Sequence, residues 1–222
     1  MRIIAISDTH SYHNKLVIPD GDVLVHAGDI TFRGEIPIMA SFSDWLKDLP
    51  HKRKVVIFGN HELGFAYGPK RETAIQLVKD AGADYLENSG VTIDGVNFWG
   101  SPVQPWFHDW EWNYPRGPAI RAIWDKIPED TNVLITHGPP WSILDQAPRG
   151  VADFENVGCK DLFMRIMEHQ FQLKAHIFGH IHNGYGVHKQ KIDVGLEECY
   201  FVNASTCTEE YNATNPPIVI DI

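Results

Sequence analysis

Val55-Val56-Ile57-Phe58-Gly59-Asn60-His61-Glu62 sets four apolar residues directly before a glycine, an amide, an imidazole and a carboxylate. A short, β-branched apolar run that stops at glycine reads as a strand buried on both faces, the kind that builds parallel sheets covered by helices. The polar cluster then stands at the carboxyl end of that strand, where α/β sheets present their ligands.

Outward from residues 55–62 the same order recurs on both sides. Residues 3–6 lead into Asp8 and His10, residues 23–26 into Gly28 and Asp29, residues 133–136 into His137, and residues 175–178 into Gly179, His180, Ile181 and His182. Four of the five clusters follow their apolar run directly, and Gly28-Asp29 follows closely. Strand ends bring residues far apart in the chain to one place, so a binuclear metal centre is the simplest account of the five clusters.

Residues 36–49 carry apolar side chains at helical spacing and are ended by Pro50, while residues 70–81 stop at Gly82 in the manner of a capped helix. Strand and helix therefore alternate as βαβ units. Further on, residues 91–93 and 96–99 flank Asp94-Gly95, a hairpin signal. Helices are expected over 118–126 and 159–169, a long loop containing Pro and Gly over 138–157, and strands at Val187, 192–194, 200–203 and 218–222. The expected architecture is a two-sheet β-sandwich flanked by helices, α/β with α+β as the alternative, in one domain of 222 residues.

Each cluster suits metal chemistry for its own reason. Asp8 and His10 stand two apart, so in extended chain both side chains face one way. Gly28 permits the sharp turn and close approach that a carboxylate between two cations requires. Asn60 and His61 set a neutral oxygen ligand beside an acid–base group. The rigid turn Gly138-Pro139-Pro140 fixes the His137 ring, and His180 and His182, again two apart, offer the imidazoles that transition metals favour.

In this order the clusters resemble the five motifs of the calcineurin-like metallophosphoesterases, DxH, GD, GNHE, H and GHxH, from Asp8 to His182. Residues 7–11, 136–140, 179–186 and 203–207 resemble the metallophosphoesterase-domain-containing branch of that family. Some members of the branch lack the first histidine of the last motif, and His180 retains it here. The resemblance implies the metallophosphoesterase fold and assigns Asp8, His10 and His182 to one metal and Asn60, His137 and His180 to the other, with Asp29 bridging. It also implies that His61 is the general acid that protonates the leaving oxygen. The mixed nitrogen and oxygen set without thiolate suits two divalent transition-metal ions, manganese first and iron, zinc or cobalt as alternatives, and fits magnesium or calcium poorly. Two cations roughly 3.5–4 Å apart acidify a shared water, and the resulting hydroxide is the expected nucleophile. The implied activity is hydrolysis of small phosphodiesters, namely cyclic nucleotides or nucleotide-like compounds. The alternatives are a phosphomonoesterase or nuclease with the same centre, or a non-catalytic interaction scaffold of this fold.

Composition narrows the partners. Twenty-nine acidic against nineteen basic side chains give a net charge of −10 without a Lys/Arg run, which favours a small phosphodiester over long nucleic acid. No run approaches the roughly 18 apolar residues of a membrane span. Three cysteines without a CxxC pair point to a reducing compartment, and residues 1–7 read as a first strand, not a signal peptide, so the expected location is cytoplasmic. The sequons at Asn203 and Asn212 are then incidental.

Between Pro105 and Pro115 lie Trp106, Phe107, His108, Trp110, Trp112 and Tyr114. They form either a stacking platform, worth about 1–3 kcal/mol per base, or a loop that folds onto its own core. Trp106, His108, His13, Arg33 and Arg149 are the candidate substrate contacts. Glu62 is expected to orient a neighbouring imidazole. Asn203 does likewise or satisfies backbone groups, and His26, His51, His169, His176 and His188 read as structural or surface residues.

Overall fold

The computed structural model describes residues 1–150, 152–168, 172–192 and 198–222. Its first sheet has five strands in the order Ile218–Asp221 (β15), Arg2–Ile6 (β1), Val23–Ala27 (β2), Arg53–Ile57 (β3) and Asp84–Tyr85 (β4). β1 through β4 are parallel, and β15 closes the edge antiparallel to β1. The second sheet has six strands in the order Gly186–Lys191 (β13), Glu198–Asn203 (β14), Ala175–Phe178 (β12), Val133–Thr136 (β9), Val96–Ser101 (β6) and Ser89–Ile93 (β5). The inner four are parallel and both edges pair antiparallel.

Side-chain alternation along the strands sets the layering. Ile3 and Ala5 of β1, Val25 of β2, Ile57 of β3, Ile135 of β9 and Ile177 of β12 meet in one buried cluster between the sheets. Their neighbours Ile4, Ile6, Leu24 and Val56 turn the other way, under the helices Ile36–Asp48 (α1) and Lys70–Asp80 (α2). Leu134, Phe178 and Phe201 pack under Pro118–Trp124 (α3) and Lys160–Glu168 (α4). The molecule is thus the expected sandwich flanked by helices. Full burial of each such side chain contributes about 1.5–3 kcal/mol, which is why the strand runs are mainly apolar, with His26 and His176 as buried exceptions that bond to Thr9 and Thr136.

The helices follow their pattern. α1 buries Met39, Phe42, Ser43 and Leu46 on one face, and α2 ends where Gly82 takes φ +74°. The turn between β5 and β6 has Asp94 at φ +48° and Gly95 at φ +81°, the two left-handed residues that a tight hairpin needs.

The loop expected over 138–157 holds a hairpin instead, Gln146–Gly150 (β10) against Asp153–Asn156 (β11). Its residues are mostly exposed, and Pro148 sits at a register shift, so no apolar alternation marks it. α3 and α4 are slightly shorter than expected. Val187 lies in β13 and Ile192 in a bend beyond it, while His169 and residues 193–194 fall outside the described residues. Gln104–Pro105 (β7) and Asn113–Tyr114 (β8) pair across the base of the aromatic stretch.

Candidate metal centre

The loops that leave the carboxyl ends of β1, β2, β3, β9 and β12 are stitched to each other by backbone bonds. Asp8 N donates to Gly28 O at 2.9 Å, His10 N to Asp29 O at 3.1 Å and Gly179 N to His137 O at 2.9 Å, and Thr206 N reaches across to Ser7 O at 2.8 Å. Asp8, His10, Asp29 and His180 have φ of +50°, +39°, +56° and +67°. Left-handed backbone at non-glycine residues costs on the order of 1 kcal/mol each and persists where surrounding bonds over-determine it, typically at functional sites. Gly59 cannot be anything larger: a Cβ there would collide with the Asp29 carboxylate and come within 2.6 Å of the His137 ring.

Four imidazoles are oriented by the same device. Nδ1 of His10, His61, His137 and His182 lies 3.2, 2.8, 3.0 and 2.8 Å from the carbonyls of Thr31, Phe32, Ala27 and Thr208. A carbonyl only accepts, so Nδ1 carries the proton and Nε2 faces the interior of the site. Facing it are carboxylate oxygens: His182 Nε2 is 3.4 Å from Asp8 Oδ1, His137 Nε2 is 3.3 Å from Asp29 Oδ2, and His10 and His61 Nε2 are each 3.9 Å from the same Asp29 oxygen. His137 Nε2 also lies 2.9 Å from Asn60 Oδ1, and His10 Nε2 lies 3.4 Å from His182 Nε2.

Three groups of these atoms are compact enough to hold a cation: Asp8, His10 and His182; Asp29, His137 and His180; and His10, Asp29 and His61. They share His10 and Asp29 and so form one continuous cluster. Without a cation the charges are balanced by protons. Burial disfavours charge on His137 and His182, yet the adjacent Asp29 and Asp8 push each up to about 9. Burial likewise works against ionised Asp8 and Asp29, but the facing imidazoles hold both carboxyls below the usual range. His10, by contrast, is pushed down to about 4 by burial. Each carboxylate thus faces a proton on Nε2 where a divalent cation fits, and the nitrogen and oxygen donors are those of transition-metal sites.

Glu62 is fully buried, and its role differs from the expected one. Among the described residues it touches no imidazole; its two oxygens accept from the backbone N–H groups of Gly59, Asp29 and Thr31 and from the Thr31 hydroxyl. One carboxylate thereby ties the β2 loop to the β3 loop. Asn203 donates to Leu144 O and Ile181 O and accepts from Ser205 N–H, and the single proton of the Ser205 hydroxyl is shared between Asn203 Oδ1 at 2.8 Å and Asp8 Oδ2 at 2.9 Å.

A cleft of about 390 Å³ opens over Asp29, Asn60, His61, His180 and His182. Trp106, Phe107 and Trp110 wall one part of it, with Arg116, Glu155, Glu209 and Tyr211 among the remaining lining. Trp110 stacks on His61 with centroids 4.2 Å apart. The aromatic stretch divides: Trp112 packs into the core with residues of α1 and α2, whereas Trp106 is 59% exposed and lines the cleft.

Of the other candidate contacts, His13 is buried beside Phe42 and Trp45 with Nε2 on Ser41, and does not reach the cleft. Arg33 lies over the Trp110 ring at 5.8 Å, outside the lining, and His108 packs its edge on Phe107, also outside it. Arg149 pairs with Glu155 on the exposed hairpin, so its partner lines the cleft and it does not. Sequence reading missed Arg116, Glu155, Glu209 and Tyr211, because polar loop residues carry no spacing that announces which cleft they line.

The clusters, in this order at the carboxyl ends of strands from both sheets, prompt a comparison against protein families. Residues 1–184 match the model for calcineurin-like phosphoesterases. The chain belongs to the calcineurin-like phosphoesterase family. Metallophosphoesterase domain-containing protein 1 of Homo sapiens and of Mus musculus is 39% identical over 244 residues, covering all of this chain and 71% of the relative. A UPF0046 protein of Caenorhabditis elegans is 36% identical over 232 residues, with all of this chain and 75% of the relative covered. Among solved structures, a Thermus thermophilus protein, TT1561, superimposes with a TM-score of 0.58 at 14% identity over 91% of this chain and 88% of its own, which shows the shared fold. The chemistry of this phosphoesterase family is metal-dependent phosphoester hydrolysis, and this calcineurin-like phosphoesterase carries His/Asp groups able to bind the metal. Among the described residues, no helix is long and apolar enough to cross a membrane.

Proposed function

We propose that this calcineurin-like phosphoesterase hydrolyses small phosphodiesters, cyclic nucleotides or nucleotide-like compounds among them, at a dinuclear centre. Asp8, His10 and His182 would hold one divalent cation and Asn60, His137 and His180 the other, with Asp29 shared and manganese the first choice of metal. Bound there, the ions would supply an activated water and neutralise charge on the phosphoryl group. The chain's own residues do the rest. The Thr31, Ala27 and Thr208 carbonyls hold His10, His137 and His182 as Nδ1–H tautomers, leaving each Nε2 for the ion. His61, with Nδ1–H held by Phe32 O and the ring flanked by Trp110, presents Nε2 to the cleft and, in its doubly protonated form, gives the Nε2 proton to the departing oxygen and is left as the Nδ1–H tautomer.

The observation that carries the choice of a diester is the charge of the cleft. Its lining has one guanidinium, that of Arg116, whose Nη1 and Nη2 donate to the carbonyls of Gly158 and Val157 at 2.8 and 2.6 Å. Glu155 and Glu209 add two carboxylates. Away from the ions, the second negative charge of a monoester dianion therefore meets two carboxylates and a guanidinium whose donors are already engaged, which disfavours it relative to a diester monoanion. The deciding experiment loads the protein with manganese and compares bis(4-nitrophenyl) phosphate, 4-nitrophenyl phosphate and 2′,3′- and 3′,5′-cyclic nucleotides. Faster turnover of the diesters is expected; faster turnover of the monoester overturns the reading.

A further inference from the structure

Tyr211 closes the His10–His182 side of the cleft. Its ring meets His10 edge-on at 4.8 Å and His182 at 5.4 Å, and leans on Phe32 at 5.5 Å. It is 38% exposed, and among the described residues its hydroxyl makes no hydrogen bond although the side chain lines the cleft. The backbone is built to present it. Tyr211 N donates to Thr208 O at 2.9 Å, Thr208 N donates to Asn212 O at 3.0 Å, and Cys207 bridges to Ala213. The same Thr208 carbonyl accepts from His182 Nδ1, so one turn both fixes an imidazole and aims the ring. Tyr211 takes φ +58° in that turn, a conformation costing a tyrosine on the order of 1 kcal/mol.

We propose that Tyr211 is a specificity-determining residue: its ring is the surface on which the substituent that a phosphodiester keeps after cleavage packs, so that it selects diesters over monoesters. The inference rests on the phosphodiesterase reading. In an in-line displacement the leaving oxygen departs along the reaction axis, toward the proton on His61 and the stacked Trp110. The retained substituent projects to the side of that axis. Trp110 stacks on His61 on the leaving side, and Tyr211, whose ring centroid is 6.3 Å from that of His61, supplies the aromatic wall beside His10 and His182. A monoester has only bare oxygens to set there and gains nothing from the ring.

Tyr211→Gly removes the ring and suits a left-handed φ, so the turn survives, while Tyr211→Phe keeps the ring and loses the hydroxyl. On manganese-loaded protein, kcat/KM is measured for bis(4-nitrophenyl) phosphate and for 4-nitrophenyl phosphate, together with bound metal. Tyr211→Gly is expected to lower the diester-to-monoester ratio at least about fivefold, mainly through KM for the diester, with metal content unchanged, while Tyr211→Phe stays near wild type. A smaller change in the ratio, an equal loss on both substrates, a loss of metal, or a Phe variant as impaired as the Gly variant overturns the inference. A wild-type protein inactive on the diester overturns the phosphodiesterase reading instead.

Discussion

Replacing Glu62 by glutamine tests whether a single carboxylate holds the β2 and β3 loops in register. Oε2 accepts from Gly59 N at 2.7 Å and Asp29 N at 3.0 Å, and Oε1 from Thr31 N at 2.8 Å and the Thr31 hydroxyl at 3.1 Å. Glutamine keeps the shape but turns one acceptor into an NH₂ donor. Pointed at Gly59 and Asp29, the NH₂ opposes two backbone donors. Pointed at Thr31 it opposes one, because the hydroxyl can donate to His61 O, 3.4 Å away, and receive the amide. That cheaper orientation leaves one buried N–H without an acceptor, about 1–3 kcal/mol, and removes charge assistance from the other bonds, for a total of about 3–5 kcal/mol. At about 2–4 °C per kcal/mol for a chain of this size, the melting temperature falls by about 6–20 °C. Burial and the Asp29 charge push Glu62 up to about 8. The comparison is therefore made on metal-loaded protein at about pH 8.5, where the carboxylate is ionised and cations offset Asp29. Calorimetric melting with parallel metal analysis gives the answer; a variant melting within about 2 °C of wild type with full metal content would refute the reasoning.

Metal binding displaces the Nε2 protons of His137 and His182, both pushed up to about 9 by their carboxylates. Titration calorimetry near pH 7.5 in buffers of different ionisation enthalpy should show about two to three protons released per chain on full loading, two from the imidazoles and up to one from Glu62 as the cations offset Asp29, and none would contradict the proton-for-cation exchange. In metal-free protein these histidines bind more protons folded than unfolded, so their stabilisation is complete below about pH 6.5 and is lost as pH rises through about 9. Melting of chelator-treated protein should decline across that window. Gly59→Ala drives a methyl into Asp29 and His137 and should abolish metal retention, measured after gel filtration. His13→Ala should lower stability by about 1–3 kcal/mol while leaving KM unchanged, since the ring packs on Phe42 and Trp45 away from the cleft.

The parallel core and the convergence of the ligand clusters were legible because strands buried on both faces are mainly apolar, so the clusters of polar residues after Ile6, Phe58, Thr136 and Phe178 stand out against the occasional buried His26 or His176. The hairpin β10–β11 was not, because it buries almost nothing and carries Pro148. His13 and Arg33 invited a role through closeness in sequence to Asp8-x-His10 and Gly28-Asp29, but a 3-10 turn carries His13 under α1 and Arg33 leaves along the surface toward Trp110. Glu62 was expected to serve an imidazole. Its neighbours instead are the N–H groups of tight turns, which sequence spacing does not reveal. Tyr211 lies in a polar stretch with no periodicity, and only the fold brings it to His10 and His182.

The most direct test of the account counts metal. Protein stripped with chelator and reloaded with manganese is predicted to retain two ions per chain, with hydrolysis of bis(4-nitrophenyl) phosphate appearing as the second ion binds, and Asp29→Asn is predicted to retain fewer and lose activity. One ion per chain with full hydrolysis, or an Asp29→Asn variant that keeps both ions and wild-type turnover, would contradict it.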